Sequence, residues 1–366
     1  TADLEAMARV GIGGALYMET DQGAPAGAAD FAGPLWMDLL GHATREAARL
    51  GLELNMHNDA GWCGSGGPWI TPALSMQKVV WSETVLEAGK AAAVTLPQPA
   101  AAHGYYKDIA VLALPAPAVE ARIPDIEGKA SFKPRHFPPL PATMAAAPAG
   151  STIPRDRIVD LTKDMDPSGK LAWAPPPGQW LVLRFGHTTT GQTNLPAPTP
   201  GRGLECDKFS KEAAAFHFDH LLGRLIRQSP GLAGAGRALV ATHIDSWEVG
   251  SQHWTPKMRD EFRQRRGYDL LPFLPAFTGR IVDDAEATER FLWDLRQTVS
   301  DLLVENYAGT FRELAAENGI RLTIEAYDSV PADDMVYAGK ADEPMGEFWS
   351  WDRFGAAYSC TEMTSA

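Results

Sequence analysis

The 366 residues are 45% apolar and 22% charged, the balance of a globular chain long enough for two or three domain-sized units or one large barrel with an insertion. A formal net charge of −13 argues against nucleic acid or an anionic membrane surface as partner, since both would be repelled. Eleven tryptophans exceed what the core needs, so some are expected to line a binding surface.

No apolar run is long enough to cross a bilayer. The opening residues "TADLEAMARVGIGG" have no basic start, apolar middle and small-residue cleavage site, and look like the middle of a protein. Cys63, Cys206 and Cys360 are odd in number, far apart and without a CxxC, which excludes a disulfide framework or a zinc knuckle and predicts buried free thiols.

In chain order, "VGIGGALYMET" (10–20) reads as a strand buried on both faces. "PLWMDLLGHATREAARLG" (34–51) reads as a helix with proline at its start and glycine at its stop, and "LELNM" follows as a second strand. Strand, helix and strand in succession predict a βα unit of a parallel sheet. From 75 to about 203 the text changes to period-two runs, "MQKVVWSETVLEAG", "KDIAVLALPAP" and "GQWLVLRFGHTT", separated by Pro- and Ala-rich stretches. Antiparallel strands and surface loops are expected there.

The βα rhythm resumes with a helix at 210–228, the strand "ALVATHID", and a helix at 255–267 with Thr255 as N-cap and Pro256 in first position. A long helical stretch, 285–318, feeds "IRLTIEAY", and "MGEFWSW" (345–351) is a last candidate strand. Three regions follow: βα units at 1–74, a β-rich insertion at 75–203, and further βα units at 204–366. About five parallel strands are foreseen against the eight of a closed (β/α)8 barrel, so the sheet is open or the chain stops before closure.

Catalytic groups of parallel α/β folds gather beyond the carboxyl ends of the strands. The polar residues here fall there repeatedly: Tyr17, Glu19 and Asp21; His57, Asn58, Asp59 and Trp62; His243, Asp245, Trp247 and Glu248; Glu325, Tyr327 and Asp328; Glu347, Trp349 and Trp351. Carboxylates with indoles at one sheet edge suit a sugar, because acids protonate or activate oxygen while indoles stack on pyranose faces. Each has a plainer alternative. Asp245 alone would serve as well as a cap or ion-pair partner; Glu248 beside Trp247 is harder to place as scaffold.

"GWCGSGGPW" (61–69) lacks the Lys-Ser/Thr of a phosphate loop, and is read as a tight turn bringing Trp62 or Trp69 to a ligand or to the core. His217 and His220 sit one helical turn apart without an HExxH, and are expected to be satisfied surface histidines rather than a metal pair. Asp342, Glu343 and Glu347 could ligate a hard cation or simply be a solvated loop. No GxSxG elbow is present.

The stretches "LELNMHNDAGWCGSGGPWITPALSMQKVVWSE", "HIDSWEVGSQHWTPKMRDEFRQRRGYDLLPFLP", "ENYAGTFRELAAENGIRLTIEAY" and "YAGKADEPMGEFW" resemble, in order, glycoside hydrolase family 106, the α-L-rhamnosidases. The resemblance implies a (β/α)8 barrel, incomplete in this chain, with the β-rich region inserted. It implies inverting hydrolysis of terminal α-L-rhamnose from pectic glycans or plant glycosides, calcium as cofactor, and a periplasmic or secreted bacterial parent.

It further implies Glu248 as general acid with Asp245 in support, and a rhamnose pocket formed by His57, Asn58, Asp59 and Trp62, with His243, Trp247, Glu325 and Trp349 as further sugar contacts. Glu347 would lie near the metal. The family's second catalytic glutamate would follow "SCTEMTSA", beyond Ala366, so these residues alone are expected to be inactive. Two other readings stay open: a retaining glycosidase with Glu248 as acid/base and Glu325 as nucleophile, and a non-catalytic carbohydrate-binding protein.

Overall fold

In the computed structural model the described residues are 1–366 without Ala24, Cys63, 88–91, 131–141, Tyr327, Asp328 and 347–366. The contacts divide the chain into two units, one of residues 1–75, 192–250 and 300–366, the other of 76–191 and 251–299.

The first unit is built on five parallel strands, Gly14–Glu19, Glu53–Ala60, Leu239–Ile244, Arg321–Glu325 and Glu343–Met345, which lie side by side in chain order. Strands that follow one another in this sheet's chain order are neighbours in it, though the connection from Ala60 to Leu239 is long. The helix Pro34–Leu50 makes the first crossover: Pro34 opens it and Gly51, at φ 70°, closes it in the left-handed region. Its Ala47 packs with Leu52, Leu54 and Ala238, and Leu4 and Met7 of a terminal helix, Ala2–Arg9, cover that cluster.

The second unit carries an antiparallel sheet in the order Gln77–Glu87, Gln179–Thr189, Lys107–Pro115, Val159–Asp160. The strand Gln179–Thr189 is paired on both sides and is buried at every residue but the first. The strand Gln77–Glu87 instead alternates buried or half-buried with exposed positions over its outer half. Trp180 and Val182 pack with Val111, Ala113, Leu161 and Leu171 on one face.

Three expectations shift. The helix foreseen at 255–267 runs Met258–Arg266 with Lys257 as N-cap, because Thr255 O accepts Met258 N at 3.0 Å and so closes a turn where the first helical turn was placed. The stretch 210–228 is α-helical over Lys211–Phe218 and Arg224–Gln228 but π-helical between, at Asp219–Gly223. The last strand is Glu343–Met345, ahead of the expected 345–351, whose residues from 347 on lie outside the described ones. No helix among the described residues is long and apolar enough to cross a membrane.

Candidate active site

The register of the parallel sheet sets the site. His57 lies opposite His243 and His243 opposite Thr323, so three adjacent strands place these residues in one row. Side chains one position apart on a strand point to opposite faces, hence residues matched in register share a face. His243 Nδ1 is 2.7 Å from Thr323 Oγ1, and its Nε2 is 3.3 Å from Asp245 Oδ1. The His57 and His243 rings stand 5.8 Å apart.

His57 is fully buried, and burial together with the neighbouring His243 pushes it down to about 4, so it is neutral at pH 7. Its Nδ1 is 3.1 Å from the Asp59 carbonyl, which assigns the proton to Nδ1 and leaves Nε2 as a buried acceptor without a hydrogen-bond partner among the described residues.

Burial pushes the Asp245 carboxyl up, yet hydrogen bonds with His243 and Glu325 outweigh it and hold Asp245 below the usual carboxylate range. The buried Glu325 thus stands within hydrogen-bonding reach of Asp245. Four of the predicted residues, His57, His243, Asp245 and Glu325, are therefore brought together electrostatically at the tips of three strands.

Asn58 and Asp59 point into a second buried network. Asn58 Nδ2 donates to His243 O at 2.8 Å, and Ser65 Oγ donates to Asn58 Oδ1 at 2.7 Å while lying 2.7 Å from Tyr307 Oη. Asp59 Oδ2 accepts Gly66 N at 2.7 Å. Beside it, Lys208 Nζ donates to Glu205 Oε2 at 2.5 Å, with both side chains almost wholly buried. Burial and the charge of Glu205 raise Asp59 well above its ordinary value. Burial disfavours the Lys208 charge, but Glu205 wins and holds the ammonium above the usual lysine range. Lys208 also lies over the rings of Tyr307 and Trp247, at 5.3 and 5.5 Å.

The glycine run has a steric reason. A Cβ on Gly66 would sit 2.8 Å from Asn194 Cβ and 2.9 Å from Glu205 Oε1, so only glycine lets the backbone reach Asp59 while pairing with Leu204–Glu205. Trp62 is half-buried and donates its backbone N–H to Leu195 O at 3.1 Å. Trp247 is buried, its Nε1 donating to Gly250 O at 2.7 Å. Glu248 is exposed at the end of the same loop and accepts Ser246 Oγ at 2.9 Å. Glu347 and Trp349 lie outside the described residues.

Two features were not foreseen. Glu205, Lys208, Ser65 and Tyr307 complete the network although none was singled out; a lysine between Cys206 and Phe209, both buried, is the one hint the text offered. His217 is fully buried rather than on the surface: Trp69 Nε1 donates to its Nδ1 at 3.2 Å and its Nε2 lies 2.8 Å from Asn58 O. Burial pushes it down to about 3. Cys206 is a buried free thiol, pushed up to about 12 by burial. Among the described residues no three His, Cys, Asp or Glu side chains converge as a metal site.

Acids and imidazoles gathered toward the carboxyl ends of parallel strands are the arrangement in which α/β enzymes hold their reactive groups. The chain belongs to the α-L-rhamnosidase family Glyco_hydro_106, whose model matches residues 1–116 and 116–365. It is 42% identical over 350 residues to a protein of Formosa agariphila named "Putative beta-glucuronidase", covering 96% of this chain and 30% of that one. Among solved structures, a rhamnosidase from Novosphingobium sp. PP1Y matches with a TM-score of 0.80 and 26% identity over 93% of this chain and 46% of that chain. The chain thus spans less than half the length of either.

Proposed function

We propose that these residues form part of the catalytic barrel of an inverting α-L-rhamnosidase acting on terminal α-L-rhamnosyl groups of pectic glycans or plant glycosides. The observation that carries the reading is the convergence of His57, His243, Asp245 and Glu325 on adjacent strand tips in a chain of this family. In the mechanism, Glu248 gives its proton to the departing glycosidic oxygen as the C1–O bond breaks. A water attacks the opposite face through an oxocarbenium-like transition state and loses its proton to a second carboxylate.

Asp245, with Glu325 and His243, supplies fixed negative charge near that developing cation, and Asn58 and Asp59 order the adjacent loop. Calcium belongs to this reading with Glu347 as a ligand, but no step runs through it. The retaining alternative would use Glu248 as acid/base and Glu325 as nucleophile, and the anomer released first separates the two.

A second reading, cleavage of a β-glucuronide, is favoured by the 42%-identical relative. Parallel assays of the longer enzyme on aryl α-L-rhamnoside and aryl β-D-glucuronide decide between them. Rhamnose release with inversion is expected; glucuronide cleavage alone would replace the first reading with the second.

A further inference from the structure

A cavity of about 300 Å³ opens in the first unit, apart from the row of His57 and His243. Its walls are Phe31, Trp69, His220, Arg224, Arg227 and Asp219. The Trp69 ring is near-parallel to Phe31 at 6.4 Å and to His220 at 6.2 Å, with interplanar angles of 23° and 21°, so the three rings make an aromatic shelf. Gly67 admits it: a Cβ there would lie 2.7 Å from the Trp69 ring. The shelf is anchored, since Trp69 Nε1 is held by His217 and His217 by the Asn58 carbonyl at the tip of the second strand.

The charges are uneven. Arg227 is clasped by Asp219, both of them exposed. Arg224 is half-buried and gives one bond, from Nη1 to Ala32 O at 2.8 Å, and among the described residues it has no carboxylate partner. His220 Nδ1 is 2.7 Å from Phe216 O, which leaves its Nε2 for a ligand. An uncompensated guanidinium beside an aromatic shelf, in a chain of net charge −13, is a local reversal of sign.

We propose that this cavity binds an anionic pyranose residue, a uronate or a sulfate ester, with the ring on Trp69 and the acid group on Arg224. The size lies at the lower end of the roughly 300–1,000 Å³ of ligand pockets and suits one or two sugar units. Guanidinium forks match carboxylate and sulfate oxygens in two-pronged bonds, and indole faces match the C–H face of a pyranose. The choice of a sugar rests on the glycoside hydrolase reading above; the preference for an anion rests on Arg224 alone.

The test is calorimetric titration of the 366-residue chain with methyl β-D-glucuronide, glucose 6-sulfate and the neutral methyl β-D-glucoside. At least one anionic probe is expected to bind about tenfold more tightly than the neutral one, and which one identifies the acid group. Arg224→Met should erase that preference. Asp219→Asn, an exposed change that spares the fold, should tighten anionic binding about two- to threefold, and it carries the test if Arg224→Met does not fold.

Equal affinity for charged and neutral probes, or anionic binding that survives Arg224→Met with native circular dichroism, would overturn the proposal. So would binding lost in Asp245→Asn but kept in both cavity variants, which would place the ligand at the strand tips. None of these readouts involves turnover, so a failure of the hydrolase reading leaves a different signature: binding in the cavity with no glycoside cleaved by the longer enzyme.

Discussion

Lys208 Nζ lies 2.5 Å from Glu205 Oε2, and neither side chain is more than 1% exposed. Such a pair has given up its hydration, and removing one partner leaves the other as a bare buried charge. Here Glu205 also faces Asp59, so the cost falls on the loop that carries the predicted sugar pocket.

Lys208→Met is therefore expected to destabilise the chain by about 3–5 kcal/mol in urea unfolding. The double variant Glu205→Gln with Lys208→Met should lose clearly less than the single one, because no lone charge remains. Equal losses would show that the pair acts through packing, not charge.

Acid should weaken the fold through buried imidazoles. Burial lowers His57 to about 4 and His217 to about 3 from 6.5, so between 6.5 and those values the unfolded chain binds more protons than the folded one. Stability from these groups is fully present above 6.5 and is lost as pH falls through that window. At pH 5 the loss is on the order of 2 kcal/mol per histidine. Urea midpoints of wild type and His217→Gln at pH 7 and 5 check it: the variant should show the shallower pH dependence, and identical slopes would contradict the burial argument.

Glu248→Gln in the longer enzyme keeps the side-chain shape and removes the proton to be donated. Turnover of a glycoside with a poor leaving group is expected to fall about 10²–10⁴-fold, and that of an activated aryl glycoside much less. A uniform small loss across leaving groups would take the acid role away from Glu248.

Gly66→Ala would push a methyl group to within 2.9 Å of both Asn194 Cβ and Glu205 Oε1. Overpacking of this kind costs about 1–3 kcal/mol. Thermal unfolding measures it, and a Tm unchanged from wild type would show that the loop has more room than its packing suggests.

Leu239–Ile244 was readable because a strand buried on both faces writes itself as a dense apolar run, and helix ends carry local signals such as Pro34 and Gly51. Gly14–Glu19, expected to be buried on both faces, is half-buried throughout because it lies at the edge of the sheet. The polar tips were readable for the same reason: a charged residue directly after such a run stands where the sheet ends. His57, His243, Asp245 and Glu325 were singled out in that way, although the strand Glu53–Ala60 runs on past His57. The antiparallel region was legible in its period-two runs; the alternation survives as burial only in Gln77–Glu87, while Gln179–Thr189, paired on both sides, is buried nearly throughout.

The linear order of residues determined the kind of element each segment forms and the family, since both depend on local pattern and on long motifs. Only the tertiary structure decided which side chains meet. Register put His57 beside His243, a backbone approach permitted only by Gly66 brought Glu205 and Lys208 against Asp59, and burial turned His217 into a link between Trp69 and Asn58. Those partners lie between 146 and 186 residues apart along the chain; contact at that range is fixed by strand pairing and packing, which no local window of sequence encodes.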